Sequence, residues 1–203
     1  MGTTSRRIAC YVIGLIILTF GISLTIKADL GAGAWDALNV GLAEKVGLTV
    51  GSWVVLVGIV LILLNAFLTK EKPDIFALIT IIIAGACIDF WLLQVFESLA
   101  LGSKGERLAA LFIGIFVLAM GVSLYLQAKF AAIPVDGLMF ALHKRFGWSL
   151  MTAKTVGEVA ALLLALLFSG PVGIGTIIIT AAIGPLVELF YPKISKMVKL
   201  NTI

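Results

Sequence analysis

Six stretches of this 203-residue chain are both long and almost free of charge: Ile8–Ile26, Val50–Leu68, Ile75–Phe96, Leu108–Leu126, Met151–Phe168 and Val172–Phe190. Most are close to 19 residues long. As helices they would be about 28 Å in length, which matches a hydrocarbon core of about 30 Å. Inside a bilayer each backbone amide must find its partner within the protein, so runs of this kind fold as helices. The expected fold is therefore all-α, a polytopic membrane protein with six transmembrane helices. A composition of 61% apolar and 13% charged residues excludes a disordered chain, a disulfide-rich secreted module and an ordinary soluble domain. Six spans also leave no room for a soluble catalytic domain. The first stretch follows Arg6 and Arg7 as a signal peptide would, but it is too long and runs into Lys27 and Asp29 without a small-residue cleavage site. It is expected to remain as a helix of the mature protein.

Lysine and arginine placement orients the spans. One side collects Arg6, Arg7, Lys70, Lys72, Lys129, Lys144, Arg145, Lys154, Lys193, Lys196 and Lys199, which is 11, against 4 on the other, namely Lys27, Lys45, Lys104 and Arg107. The positive-inside bias then places both termini in the cytoplasm and the uncharged loop Ser169–Gly175 outside. The net charge of +4 is dispersed over membrane flanks instead of gathered on one soluble face, so anionic lipid headgroups are its expected partner and nucleic acid is not. Cys10 and Cys87 lie in apolar runs without a ligand-spaced His or Cys, so neither a metal site nor a disulfide framework is expected.

The chain also matches itself. At an offset of 100 residues, with no gap between Gly14 and Val50, the pairs Gly14/Gly114, Leu18/Leu118, Gly21/Gly121, Ser23/Ser123, Leu24/Leu124, Ala28/Ala128, Ala32/Ala132, Asp36/Asp136, Leu38/Leu138, Leu42/Leu142 and Gly47/Gly147 are identical, 11 of 37 positions. Composition alone would give about one in ten. Near the ends of the third and sixth spans the match resumes at an offset of 99, Gly85 with Gly184 and Asp89 with Glu188. The expected organisation is a first three-span repeat, 1–103, and a second, 104–203. Three is odd, so the second copy must cross the membrane inverted relative to the first, as in transporters whose substrate site lies where the halves meet.

After the first span of each half comes a segment too polar to cross. One runs from Gly31 to Gly47; its counterpart begins Ile133-Pro134-Val135-Asp136-Gly137 and closes at Gly147, with Pro134 suited to a first helical turn. Both are expected to be short half-helices, able to dip into the bundle if protein covers them. Gly14, Gly21 and Ala28 recur every seven residues and are matched by Gly114, Gly121 and Ala128, a stripe that predicts close helix packing where the halves touch.

Five acids are candidates for substrate or ion coupling. Asp36 and Asp136 hold matching places in the first turn of each half-helix, where an acid also complements the helix dipole. Asp89, Glu158 and Glu188 stand inside apolar spans, where an ionised group is costly unless it faces protein or water. Glu158 follows Lys154 by four residues, so the two can meet on one face. Asn65, Gln94 and Gln127 are expected to act as interhelical hydrogen-bonding groups. Gly170–Thr176 lacks the ending of a phosphate loop and reads as a tight turn, and His143, beside Lys144 and Arg145, as a surface residue. One His and scattered carboxylates make no nucleophile–base constellation, so the chain is not expected to be an enzyme or to hold a cofactor.

At these residues the sequence resembles the YczE/YitT group of small bacterial membrane proteins. The likeness rests on Ala28-Asp29-Leu30-Gly31-x-Gly33-x-Trp35-Asp36-x-Leu38, then Gly41-Leu42, Gly47-Leu48-Thr49-x-Gly51, and Gly85 with Ile88-Asp89. Members often carry a Gly-Pro-Gly-x-Gly-Thr turn before the third span. Here Lys72-Pro73-Asp74-Ile75-Phe76 departs from it, while Gly170–Thr176 echoes it before the sixth. The resemblance implies a bacterial cytoplasmic membrane location and this architecture, and says less of activity. Inversion favours a secondary transporter or exporter of a small organic solute. The alternatives are a substrate-capture subunit of an ATP-driven complex and a membrane scaffold for another protein, and the pattern is compatible with a homo-oligomer.

Overall fold

A computed structural model describes residues 3–131 and 133–198. Ala132, one partner of a repeat pair, and Lys199, one of the basic residues counted above, lie outside the described residues. The helices are α1 (Thr3–Lys27), α2 (Ala34–Val46), α3 (Val50–Thr69), α4 (Ile75–Phe90), α5 (Lys104–Gln127), α6 (Pro134–Phe146), α7 (Leu150–Leu167) and α8 (Ile174–Val198), with a π-helical turn, Trp91–Val95, continuing α4. Among the described residues six helices are long and apolar enough to cross a bilayer, and they coincide with the six expected stretches. α2 and α6 are the two short helices between spans.

The ends follow local chemistry. Thr49 and Ser149 cap α3 and α7 through their side-chain oxygens, and Ser103 and Glu106 form a reciprocal capping box on α5. Pro134 opens α6, and Gly147 closes it at φ 71°. α8 runs eight residues past the expected end at Phe190, through Pro185 and Pro192. Each proline removes one helical donor, and the extension is held to α5 by Gln127 Nε2, which donates to the Tyr191 carbonyl at 3.1 Å. The extension carries Lys193 and Lys196, which an apolar window cannot detect.

The helices group into two compact units. One holds α1, α5, α8 and the π turn; the other holds α2, α3, α4 as far as Asp89, α6 and α7. Each unit thus draws on both sequence halves, so compactness divides the chain differently from the repeat.

In the first unit, α1 and α5 pack backbone to backbone. A methyl group on Gly14 would fall 2.5 Å from Tyr125 N, one on Gly21 2.5 Å from Leu118 N, and one on Gly114 2.7 Å from the Thr25 methyl; Gly121 is pressed as closely on Leu18. Partner numbers fall on α5 as they rise on α1, so the helices are antiparallel. Exchanging the halves turns Gly14–Tyr125 into Gly114–Thr25 and Gly21–Leu118 into Gly121–Leu18, the self-complementarity of a twofold contact. The pattern continues at the helix ends. Arg107 Nη1 meets Asp29 Oδ2 at 2.7 Å, while Arg7, 100 positions before it, donates from Nε to Ala128 O at 2.8 Å. Asp29 and Lys129 adopt the same left-handed backbone, φ 52° and 51°. Leu24, Ala28, Leu111, Ile115 and Ile179 form this unit's apolar core. Trp91, set by the π turn, packs edge-on to Phe20 and donates to Thr19 Oγ1 at 3.2 Å. Gly175 N donates to Leu30 O at 2.7 Å, and Gly31, at φ 107°, would meet Gly173 N at 2.6 Å if it carried a methyl. The glycines beyond α7 therefore serve close backbone approach.

In the second unit α2 packs on α7 and α3 on α6, again one contact with the halves exchanged. Gly170 is wedged against the Ala37 carbonyl, and Lys45 Nζ donates to Leu167 O at 3.1 Å. α3 and α4 cross at Gly51 and Gly85 and share Ile62, Ala77 and Ile81.

Candidate functional site

Asp89 lies at the end of α4 as an interhelical cap. Its Oδ2 accepts from Thr49 Oγ1 at 2.5 Å and its Oδ1 from Gly51 N at 2.7 Å, at the start of α3. A carboxylate at a helix N-terminus is favoured by both the free amides and the dipole. These bonds give Asp89 a complete structural role. Asp89→Ala is therefore expected to cost about 2 kcal/mol of stability, read as a lower unfolding midpoint in detergent; an unchanged midpoint would contradict the cap.

The other acids divide. Glu188 is exposed on α8. Asp36 on α2, Asp136 on α6 and Glu158 on α7 all belong to the second unit and are all partly buried. Glu158 stands within electrostatic range of Asp36, of Lys154 and of Asp136. The two half-helix aspartates are thus linked through a third acid from a spanning helix. Burial, with Glu158's charge second, pushes the Asp36 carboxyl up to about 7. Lys154 and Glu158 do not close the ion pair their spacing allows. The ion pairs among the described residues are Arg107–Asp29 and Lys144–Glu71, and Lys154 is exposed.

Around these acids are polar groups that spacing arguments do not find. Asn39, one turn after Asp36 on α2, is only 5% exposed, and its Oδ1 has no hydrogen-bond partner. Asn65 on α3 donates from Nδ2 to Pro134 O at 2.9 Å, which is the interhelical role expected of it, but its Oδ1 is buried without a partner. Trp35 Nε1 is likewise unpartnered. Buried orphans of this kind are uncommon and call for a cause. In the sequence, Asn39 is simply one polar residue in a mixed segment, and only the packing of α2 reveals that it is buried. Gln94 is exposed, and His143, also exposed, lies 2.5 Å from Trp148 O. Among the described residues no three His, Cys, Asp or Glu side chains converge as metal ligands.

Residues 5–192 match the model of a family described as a family of unknown function, DUF6198. The chain belongs to that family. Its relatives include two proteins of Bacillus subtilis. One is described as uncharacterized protein YyaS, 41% identical over 92% of each chain. The other is described as uncharacterized membrane protein YczE, 33% identical over 90% of this chain and 84% of its own. An uncharacterized protein of Haemophilus influenzae is 28% identical over 95% of this chain and 86% of its own. No solved structure matches the chain. Family membership agrees with the resemblance carried by Ala28–Leu38 and Gly47–Gly51. With six apolar helices, it makes this a multi-pass bacterial membrane protein.

Proposed function

We propose that this protein is a secondary transporter or exporter of a small organic solute across the bacterial cytoplasmic membrane, with both termini cytoplasmic and the two halves related as inverted repeats. One observation carries the reading: Asp36, Asp136 and Glu158, from three helices and both halves, gather in one unit beside buried amide oxygens that have no protein partner. An acid that can change charge near neutral pH in such a place is the ingredient proton coupling needs. The exchange symmetry of the α1–α5 contact supports inversion, since a twofold relating antiparallel helices lies across them. A scaffold has no use for two-faced symmetry. Asp36, Asp136 and Glu158 are assigned to coupling, while Asp89 holds α3 to α4 and no coupling role is assigned to Glu188. No catalytic chemistry is assigned to the chain.

The test is uptake and efflux of a metabolite pool in proteoliposomes, followed by mass spectrometry. Wild type and Asp89→Asn, which keeps an acceptor at the cap, are expected to give equal flux per folded protein, and Asp36→Asn at least tenfold less. Equal flux in all three would remove Asp36 from the mechanism, and no flux above empty vesicles would remove transport.

A further inference from the structure

The polar groups of the second unit differ in kind, and the difference specifies a ligand. Asp36 and Asn39, three residues apart on α2, lie on one face of that helix. Asn39 Oδ1 is buried and unpartnered. The bond from Asn65 Nδ2 to Pro134 O fixes which way that amide points, so its unpartnered atom is the carbonyl oxygen. Asn65 also lies at the first turn of α6, because a methyl on Gly137, next to Asp136, would sit 2.7 Å from Asn65 Nδ2. Three carboxyl groups and two amide oxygens are all acceptors. The basic residue within range of Glu158 is Lys154, which is exposed and forms no ion pair with it. Trp35 Nε1, an orphan donor among the described residues of this unit, precedes Asn39 by four residues and so lies near it on α2, which leaves the set rich in acceptors with one N–H donor beside them.

We propose that the Asp36, Asp136 and Glu158 cluster, with the Asn39 and Asn65 carbonyl oxygens, is a binding site for a protonated amine. An ammonium group carries three N–H donors and a positive charge, which complements an acidic set in which acceptors outnumber donors. The amine as transported cargo rests on the transport reading above; its binding does not.

The experiment is a calorimetric titration of the full chain in detergent with n-propylammonium chloride, against 1-propanol and sodium propionate. Saturable binding of propylammonium alone is expected, weakened at least tenfold in Asp36→Asn and in Asn39→Leu, which keeps the branched outline but removes the acceptor. Asn39→Asp keeps an acceptor oxygen and is expected to retain binding. No saturable propylammonium binding by wild type overturns the proposal. So does equal binding of propanol or propionate, or propylammonium binding untouched in both Asp36→Asn and Asn39→Leu. Propylammonium binding without flux would remove transport and leave the amine site standing. Flux of an anionic or neutral solute without amine binding would do the reverse.

Discussion

Gly121→Ala is expected to destabilise the protein by about 2 kcal/mol, and Gly14→Ala and Gly21→Ala by similar amounts, whereas Gly184→Ala should be neutral or slightly stabilising. The contrast comes from what a single methyl would meet. At Gly21 it would lie 2.5 Å from a backbone nitrogen of Leu118, and at Gly121 it would press on the backbone of Leu18, while at Gly184 nothing lies within 4 Å. A flexible side chain could swing aside, but the backbone of a packed helix cannot, so α1 and α5 would have to separate along their length. In a bilayer this contact has no hydrophobic drive of its own and depends on close approach. At Gly184 the helix simply gains the better helix former, a change of up to about 1 kcal/mol in its favour. Reversible unfolding in mixed micelles measures all four. A Gly121→Ala protein as stable as wild type would mean that the two helices are not seated on their glycines.

The second large effect concerns pH. Asp36 has a carboxyl pushed up to about 7 in the folded protein against an ordinary value near 3.8. Between those values the folded state keeps a proton that the unfolded chain releases. Stability should therefore fall as pH rises from about 4 to about 7 and level off beyond, where both states are ionised. The contribution of one such group is at most about 1.4 kcal/mol per pH unit. Asp36→Asn should flatten this part of the profile, because the amide has no proton to lose. Glu158→Gln removes a neighbouring negative charge, so it should move the Asp36 midpoint downward without abolishing it; Asp136 and Lys154 stay in place as the other charges near Glu158. Unfolding midpoints in detergent from pH 4 to 8 measure this. A decline equally steep in Asp36→Asn would assign the proton elsewhere. The same carboxyl predicts a flux profile with its midpoint near pH 7 in wild type.

The spans, the two short helices and the glycine contact between α1 and α5 could all be read from the chain, and for one reason. Apolar length, Pro134 at a first turn and small residues every seventh position each act through local geometry, and each leaves a periodic trace. The roles of the acids could not be read in this way. Asp89 and Glu188 occupy matching positions, yet one caps α3 and the other is exposed, because the outcome depends on which helix end lies opposite. Glu158 and Lys154 have the spacing of an ion pair, but the lysine extends to the surface. Asn39 carried no sequence signal at all. A three-residue spacing from Asp36 gains meaning only once α2 is packed between α3 and α7, which pattern along the chain does not encode. The repeat likewise marks which residues are equivalent, but not that the compact units would each combine helices from both copies.

Alternating access through this site requires the face of α2 bearing Asp36 and Asn39 to open to each side of the membrane in turn. Substituted-cysteine accessibility at position 39, in a protein with Cys10 and Cys87 replaced and a defined orientation in proteoliposomes, tests it most directly. A membrane-impermeant thiol reagent added to either side should modify Asn39→Cys. Modification from one side only, or from neither side in the native bilayer orientation, would contradict alternating access through this site.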